Sequence, residues 1–504
     1  MTQVSFVRTE MLPEKAPPPT SVGIIGWLRA NLFSSWVNGI LTVVALFFIY
    51  RLLSSVLPWA LVPTGSGTSL GNCREILHGM GREGHFAGAC WGVINERWLQ
   101  IFFGFYPSEF YWRPILAFVG LLLALSPILY PERAFKLITF SALYPFLAVW
   151  LIWGGSFWVP LLVLAGFVLG YYAFSFAVAR LNQIVALILA VLVPVVWWFV
   201  LMGPIDSTLA KWVTNSRVNT AVEQLTLELE DESLGVAKRK FLEEQLGAFK
   251  RLPDAQANLE AAQDAEATSE AQNQLSAIYK TTGLVGLVPV ESANIGGFML
   301  AFIIGVTGIT ASLPIGVVLA LGRQSDLIIL KGICVGFIEF IRGVPLITLL
   351  FVASTLLNIF MPPGTNFDLV LRVIIMVTLF SSAYMAEVIR GGLAALPKGQ
   401  YEAADSLGLD YWQAQRLIIM PQALKISIPG IVGNFIGLFK DTTLVSVIAL
   451  WDPILLSTNI RADAAWNGIL WELYGFIALI FFIVCFSMSR YSMYLERKLA
   501  TDHR

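Results

Sequence analysis

Ten stretches of this chain are each apolar enough, and about long enough, to cross a lipid bilayer. They are residues 36–62, 114–130, 135–153, 158–178, 183–202, 297–321, 327–360, 367–389, 426–450 and 470–488. Nothing else in the sequence restricts its fold so tightly. Hydrocarbon offers no partner to a backbone N–H or C=O, so a run of ~20 apolar residues is committed to helix. The third and fourth runs are split only by Gly154-Gly155-Ser156. The stretch 327–360 is too long for one simple span, and its first part, with Lys331, Glu339 and Arg342, is expected at the membrane edge. The chain as a whole is 57% hydrophobic and 13% charged, with mean hydropathy +0.71 over 504 residues, more apolar surface than one soluble core can hide.

Several function classes drop out on composition. The formal net charge of -1 provides no basic stripe for nucleic acid. The 4 Cys and 3 His show neither zinc nor CxxC spacing, so no metal site is expected. The histidines, His78, His85 and His503, form no catalytic cluster in sequence, which disfavours a membrane enzyme. No GxxxxGK[ST] occurs, so the chain has no nucleotide-phosphate loop of its own. The polar start, with MLPEKAPPPT, reads as a soluble tail rather than a cleaved leader.

Positive charge marks the cytoplasmic side. Arg8, Lys15, Arg29, Arg133, Lys136, Arg180, Arg323, Arg390, Lys398, Arg490, Arg497, Lys498 and Arg504 all fall on one side if ten spans are real. Both termini are then cytoplasmic. The domains expected are a tail 1–35, a five-span region 36–203, an external insert 204–295, a second membrane region 296–492 and a tail 493–504. In the insert, Leu225, Leu229 and Glu232 keep helical spacing, and Pro253 is expected to break the stretch into an antiparallel helical hairpin. That hairpin reads either as a docking arm for a soluble partner or as an appendage that packs on itself, the usual fate of charged helices. The external stretch 63–113 holds Cys73 and Cys90. An oxidising compartment permits a disulfide there, while spacing alone leaves its geometry open. Cys334 and Cys485 lie in apolar runs and read as inert core residues.

Between two late spans, on the cytoplasmic side, lies YEAADSLGLDYWQAQRLIIMP, residues 401–421. Glu402 is expected to start a helical turn, where a carboxylate complements the N-terminal dipole. Ala403 and Ala404 have little bulk, so another surface can come close. Gly408 offers a turn or C-cap, and a second helix, 412–419, is expected to stop at Pro421. The first half lacks the apolar face an interfacial helix needs, so a protein partner fits better than lipid. Glu402-Ala403-Ala404, three residues, Gly408, nine residues, Ile418, one residue and Met420-Pro421 resemble the EAA loop of ABC importer permeases, with Met420 where the family has Leu. IEFIRGVPLI, SSAYMAEVIRGGLAALPKGQYEAADSLGL and MPQALKISIPGIVGNFIGLFKDTTLVSVI are together similar to the polar-amino-acid permeases, the histidine/glutamate/glutamine/opine group. The resemblance covers about 296–499. GACWGVINERWLQIFFGFYP resembles the longer permeases of general L-amino-acid transporters, while the insert 211–280 resembles nothing nameable.

The resemblance implies an all-α polytopic membrane protein of about ten helices, with a type I ABC importer permease core and an extra-membranous hairpin. It implies a bacterial inner-membrane transport subunit, not an enzyme, that imports L-amino acids. It implies three kinds of partner besides lipid: an ABC ATPase that holds the ATP, a second similar permease and a periplasmic amino-acid-binding protein, with the EAA loop seated on the ATPase through Glu402, Ala403, Ala404, Gly408 and Pro421. The rival reading, an ion-gradient-driven transporter or channel, leaves that loop without a purpose. Charges inside spans need partners or roles. Glu339 with Arg342, and Glu387 with Arg390, are three apart and are expected to pair along one helix face. They read either as anchors of helix ends or as the lining of an inner gate. Lys440, Asp441 and Thr442 lie toward the outer half, to meet a charged substrate or a neighbouring subunit. Pro345, Pro429, Gly430 and Gly433 would loosen their helices.

Overall fold

The computed structural model describes residues 23–499 apart from 85–86, 131, 133–134, 182, 232–233, 262–264, 283–285, 357–358 and 360–367. Arg8, Lys15, His85, Arg133, Glu232, His503 and Arg504 of the sequence analysis lie outside the described residues. The described chain is nearly all helix: α1 Gly23–Asn31, α2 Trp36–Ala60, α3 Leu70–Gly79, α4 Gly92–Phe103, α5 Trp112–Leu129, α6 Ile138–Trp153, α7 Trp158–Val178, α8 Gln183–Val196, α9 Met202–Leu229, α10 Val236–Ala261 and α11 Ala265–Thr282, then α12 Gly297–Gln324, α13 Ile328–Gly343, α14 Leu346–Phe351, α15 Leu369–Ala394, α16 Lys398–Ser406, α17 Tyr411–Ala414, α18 Met420–Asp441, α19 Pro453–Ala462 and α20 Trp471–Leu499. Two dipeptide strands, β1 Gly155–Ser156 and β2 Gly286–Leu287, pair antiparallel.

Among the described residues, eight helices are long and apolar enough to cross a membrane, or nine if one bent pair counts as a span. Nine of the ten expected stretches fall within that count, the bent pair included, and 183–202 does not. The stretch 183–202 does form helix, but it runs through a π turn, Trp197–Leu201, without a break into the polar α9. The stretch 327–360 is the bent pair: Ile328–Gly343 and Leu346–Leu356 meet at 102°. The cause is local. Pro345 cannot donate an N–H, and Val344 before it is extended at φ -108° and ψ 131°.

Two other prolines do not break helices as expected. Pro253 lies inside α10, and the described helices of the insert are α9, α10 and α11. The hairpin is α10 with α11, closed over Leu252, Ala255 and Leu275 and packed against Trp158. Pro421 does not stop a helix either. The π turn Gln415–Ile419 before it already shifts the hydrogen bonding, with Met420 N–H donating to the Gln415 carbonyl, so the N–H that proline lacks is not missed.

The chain divides into two compact units, residues 1–96 with 461–473 and residues 97–460 with 474–504. In the first, α2 buries none of its residues and is apolar all round, as suits a helix whose solvent is lipid. Beside it Cys73 and Cys90 are joined by a disulfide with Cα atoms 5.8 Å apart, both buried. The Cys90 N–H donates to Glu472 Oε1 at 2.8 Å, and the Leu70 N–H to the Ala465 carbonyl at 2.8 Å. Trp466, fully buried, donates its indole N–H to Glu96 at 3.1 Å.

In the second unit, α12, α15 and α18 form the core around Leu300, Ile304, Val373, Val377 and Leu438, with a second cluster around Ile338, Met385, Ile389 and Ile419. Close approach depends on small residues: a Cβ on Gly316 would sit 2.7 Å from the Met385 side chain. The insert returns to this core through a stitched junction. Val290 N–H donates to the Trp153 carbonyl at 2.9 Å, Tyr106 Oη to the Ile152 carbonyl at 2.8 Å, and the buried Arg113 to the Val288 carbonyl at 2.6 Å.

One buried carboxylate after the α18 span gives the fold a pH signature. Asp452 is fully buried, caps α19 by accepting the Leu455 N–H at 2.8 Å, and has no partner for its second oxygen. Burial pushes its carboxyl up to about 6 from the usual carboxylate range, against the lowering by its backbone donors. The folded state thus binds a proton more tightly than the unfolded state. The charge penalty is present above about pH 6 and is relieved as pH falls from about 6 toward the ordinary value near 4. Asp452→Asn keeps a capping oxygen. It should leave the thermal midpoint at pH 7.5 equal or higher and flatten its rise between pH 7 and pH 5. A lower midpoint at pH 7.5 would show that the charged form is the stabilising one.

Candidate functional site

The 401–421 loop folds as two helices hinged at glycine. After Pro397, α16 runs from Lys398 to Ser406, and three bonds close its end: Gly408 N–H to Asp405 at 2.9 Å, Leu409 N–H to Ala404 at 3.3 Å and Leu407 N–H to Ala403 at 3.1 Å. The 6→1 and 5→2 pattern is a Schellman motif, which requires a left-handed residue, and Gly408 supplies φ +68°. Asp410 then caps α17 with a capping box completed by Gln413. Helix α17 continues through the π turn into the α18 span. The loop is therefore continuous with a membrane helix at its far end.

The exposures sort the motif. Glu402, Ala403, Gly408 and Pro421 are exposed, as are Leu407 and Trp412, which the motif does not include. Ala404 is 1% exposed and faces inward, so its small size serves packing within the loop rather than an outer contact. Glu402 lies in the second turn of α16, not at its start; the first turn has no acidic residue. The N-terminal dipole is thus not its partner.

Ahead of this loop sits a charged cluster on three helices. Glu387 of α15 is its centre. Arg323, at the end of α12, donates to Glu387 Oε1 at 2.6 Å and to Glu339 of α13 at 3.0 Å. Arg390 Nε lies 3.2 and 3.1 Å from the two Glu387 oxygens. Arg342 Nη1 is 3.8 Å from Glu387 Oε2, and its guanidinium lies 5.6 Å over the Tyr384 ring. The expected Glu387–Arg390 pair is present. The expected Glu339–Arg342 pair is not: each reaches another helix instead. Glu387 is the less exposed carboxylate, 17% against 55% for Glu339, so its field is less screened and draws Arg342 away. Arg323 was legible only as a topological charge. Its partners lie 16 and 64 residues away, and no local spacing announces them.

One turn of α15 back from Glu387 is a cavity of about 220 Å³ between α15 and α18, lined by Phe380, Ser381, Tyr384, Asn434, Gly437, Leu438 and Asp441. Asn434 donates to the Ser381 hydroxyl at 3.1 Å and carbonyl at 3.3 Å. Asp441 is the cavity's one ionisable acid among these residues. Its sequence neighbours are elsewhere: Lys440 is exposed, and the buried Thr442 donates to the Phe439 carbonyl at 2.7 Å. Adjacent helical residues point about 100° apart, so the three could not share one lining. Ser381, Tyr384 and Asn434 escaped the sequence reading because their i, i+3 spacing on α15 becomes a site only when α18 faces it. Among the described residues no group of three or more His, Cys, Asp or Glu could hold a metal ion.

Residues 312–501 match the family model for the binding-protein-dependent transport system inner membrane component. The chain is 49% identical, over the whole of both proteins, to the glutamate/glutamine/aspartate/asparagine transport system permease protein BztC of Rhodobacter capsulatus. It is 33% identical to the inner membrane amino-acid ABC transporter permease protein YhdY of Escherichia coli, over 98% of each chain. Against the probable glutamine ABC transporter permease protein GlnP of Bacillus subtilis it is 34% identical over 40% of this chain and 90% of that one. The two long relatives match through the N-terminal spans and the insert as well as the core. On this likeness the chain belongs to the amino-acid ABC importer permeases, as a multi-pass inner-membrane transport component that works beside an ATPase and a partner permease.

Proposed function

We propose that this permease carries acidic amino acids and their amides inward, delivered by a soluble periplasmic binding protein and driven by ATP held on a separate subunit. The single observation that carries the mechanism is the continuity of α15. The helix lines the cavity with Ser381 and Tyr384, bears Glu387 and Arg390 one to two turns on, and leads within a few residues to the exposed α16. A push on α16 therefore reaches the cavity across a link of only three residues, 395–397. Glu402, Ala403 and Gly408, with Leu407 and Trp412 beside them, form the surface that seats on the ATPase. In the cavity, Asp441 meets the cargo's ammonium, since a buried cation without a counter-charge costs several kcal/mol. The substrate class follows from the 49% full-length identity to BztC. The cluster on Glu387 holds α12, α13 and α15 together near the coupling side and is read as the inner gate. Both termini are cytoplasmic in this reading, which counts the helical stretch 183–202 as a fifth span before the insert and so puts α10 and α11 outside.

Four variants test it. Ala403→Phe adds bulk at an exposed position, so the permease should keep its thermal midpoint while uptake of glutamate or glutamine in proteoliposomes falls at least tenfold; normal uptake sinks the coupling surface. Gly408→Asp adds the strain of a left-handed side chain, about 1–2 kcal/mol, and should act in the same direction. Asp441→Asn should lower uptake more than tenfold in an assembled complex, and wild-type uptake would remove Asp441 from the path. A cysteine at Ser269 should label with an impermeant thiol reagent in intact spheroplasts. Labelling only after lysis would reverse the assigned orientation.

A further inference from the structure

Three guanidiniums and two carboxylates make the cluster around Glu387, and the three arginines are not held alike. Arg323 and Arg390 hydrogen-bond to Glu387 at 2.6 and 3.1 Å and between them occupy both of its oxygens. Arg342 has only a 3.8 Å ionic contact, longer than a hydrogen bond. It is also the arginine that touches the path: its guanidinium lies over Tyr384, and Tyr384 lines the cavity with Asp441. Its side chain is 35% exposed, so it has room to reorient. The cluster carries one positive charge in excess. Asp441, at the other end of the cavity lining, is negative and repels a carboxylate.

We propose that Arg342 takes the α-carboxylate of the amino acid as it leaves the cavity toward the coupling side. The assignment rests on the import reading above and adds the residue that recognises the group every such cargo shares. Asp441 holds the ammonium and Arg342 then receives the carboxylate, so neither charge crosses the gate unpaired. Arginine suits this because its planar fork binds a carboxylate through two parallel N–H donors. Glu387 gives Arg342 up readily because its stronger bonds are to Arg323 and Arg390. Ser381 to Glu387 spans six residues of α15, ~9 Å at 1.5 Å per residue, a short reach for an arginine side chain.

The test compares glutamine with glutaminamide, which lacks the carboxylate, binding to the complete transporter in nanodiscs without a binding protein. Both are measured by saturation-transfer NMR at about pH 6, below the ordinary α-amino value near 8, so that both amines are cationic. The wild type should bind glutamine at least tenfold more tightly than the amide. Arg342→Gln should bring the two within twofold, and Arg342→Lys should keep a preference of about threefold. A tenfold preference surviving in Arg342→Gln overturns the assignment. If that variant does not assemble, Arg342→Lys decides, and an undiminished preference overturns it. Equal binding of both ligands by the wild type also overturns it, whereas no binding or uptake of glutamine by the wild type defeats the import reading itself.

Discussion

Glu387 is a carboxylate shared by three arginines from three helices, in a setting only 17% exposed to water. Each of those charges is expensive to place near hydrocarbon alone, and together they neutralise all but one unit. Removing one member of a partly buried ionic set leaves the others unpaired, typically a loss of 3–5 kcal/mol when the burial is complete. The relative setting of α12, α13 and α15 near the coupling side therefore depends on this one side chain. Helix α15 then carries that setting in both directions, to the cavity and to α16.

The same helices can come close because their facing residues are small. Gly316 meets Met385, and a Cβ on Gly392 would lie 2.5 Å from the Ala423 carbonyl. In lipid no hydrophobic force draws helices together, so contact area and polar pairing must do so. The ionic cluster and the glycine contacts are two parts of one solution. The bend at Pro345 adds the third: it turns the chain by 102° beside the arginine assigned to the cargo's carboxylate.

Outside the core, the chain spends its polar residues on fastening. The disulfide between Cys73 and Cys90 and the Glu472 carboxylate fix the first unit. The junction of Tyr106, Arg113, Trp153 and Val288 fixes the return of the insert, with Arg113 donating to the Val288 carbonyl and lying 3.9 Å over the Phe110 ring.

The sequence by itself determined the helices, because lipid leaves the backbone no alternative. It also determined the loop 401–421 as two short helices hinged at Gly408, because the turn and caps are made of residues within a few positions of each other. Where an expectation failed, the deciding contact was remote. Proline at 421 sat inside a continuous helix because the π turn before it absorbed the missing donor, and that turn is not written in any short motif. Ala404 turned inward and Glu402 fell in mid-helix because the start of α16 was set by Pro397, ahead of the motif. Arg342 left its i, i+3 neighbour for Glu387 because the less exposed carboxylate exerts the stronger field, and burial is a property of the assembled helices. The cavity is the clearest case. Ser381 and Asp441 lie 60 residues apart, and only the packing of α15 on α18 decides that a hydroxyl and a carboxylate face the same space.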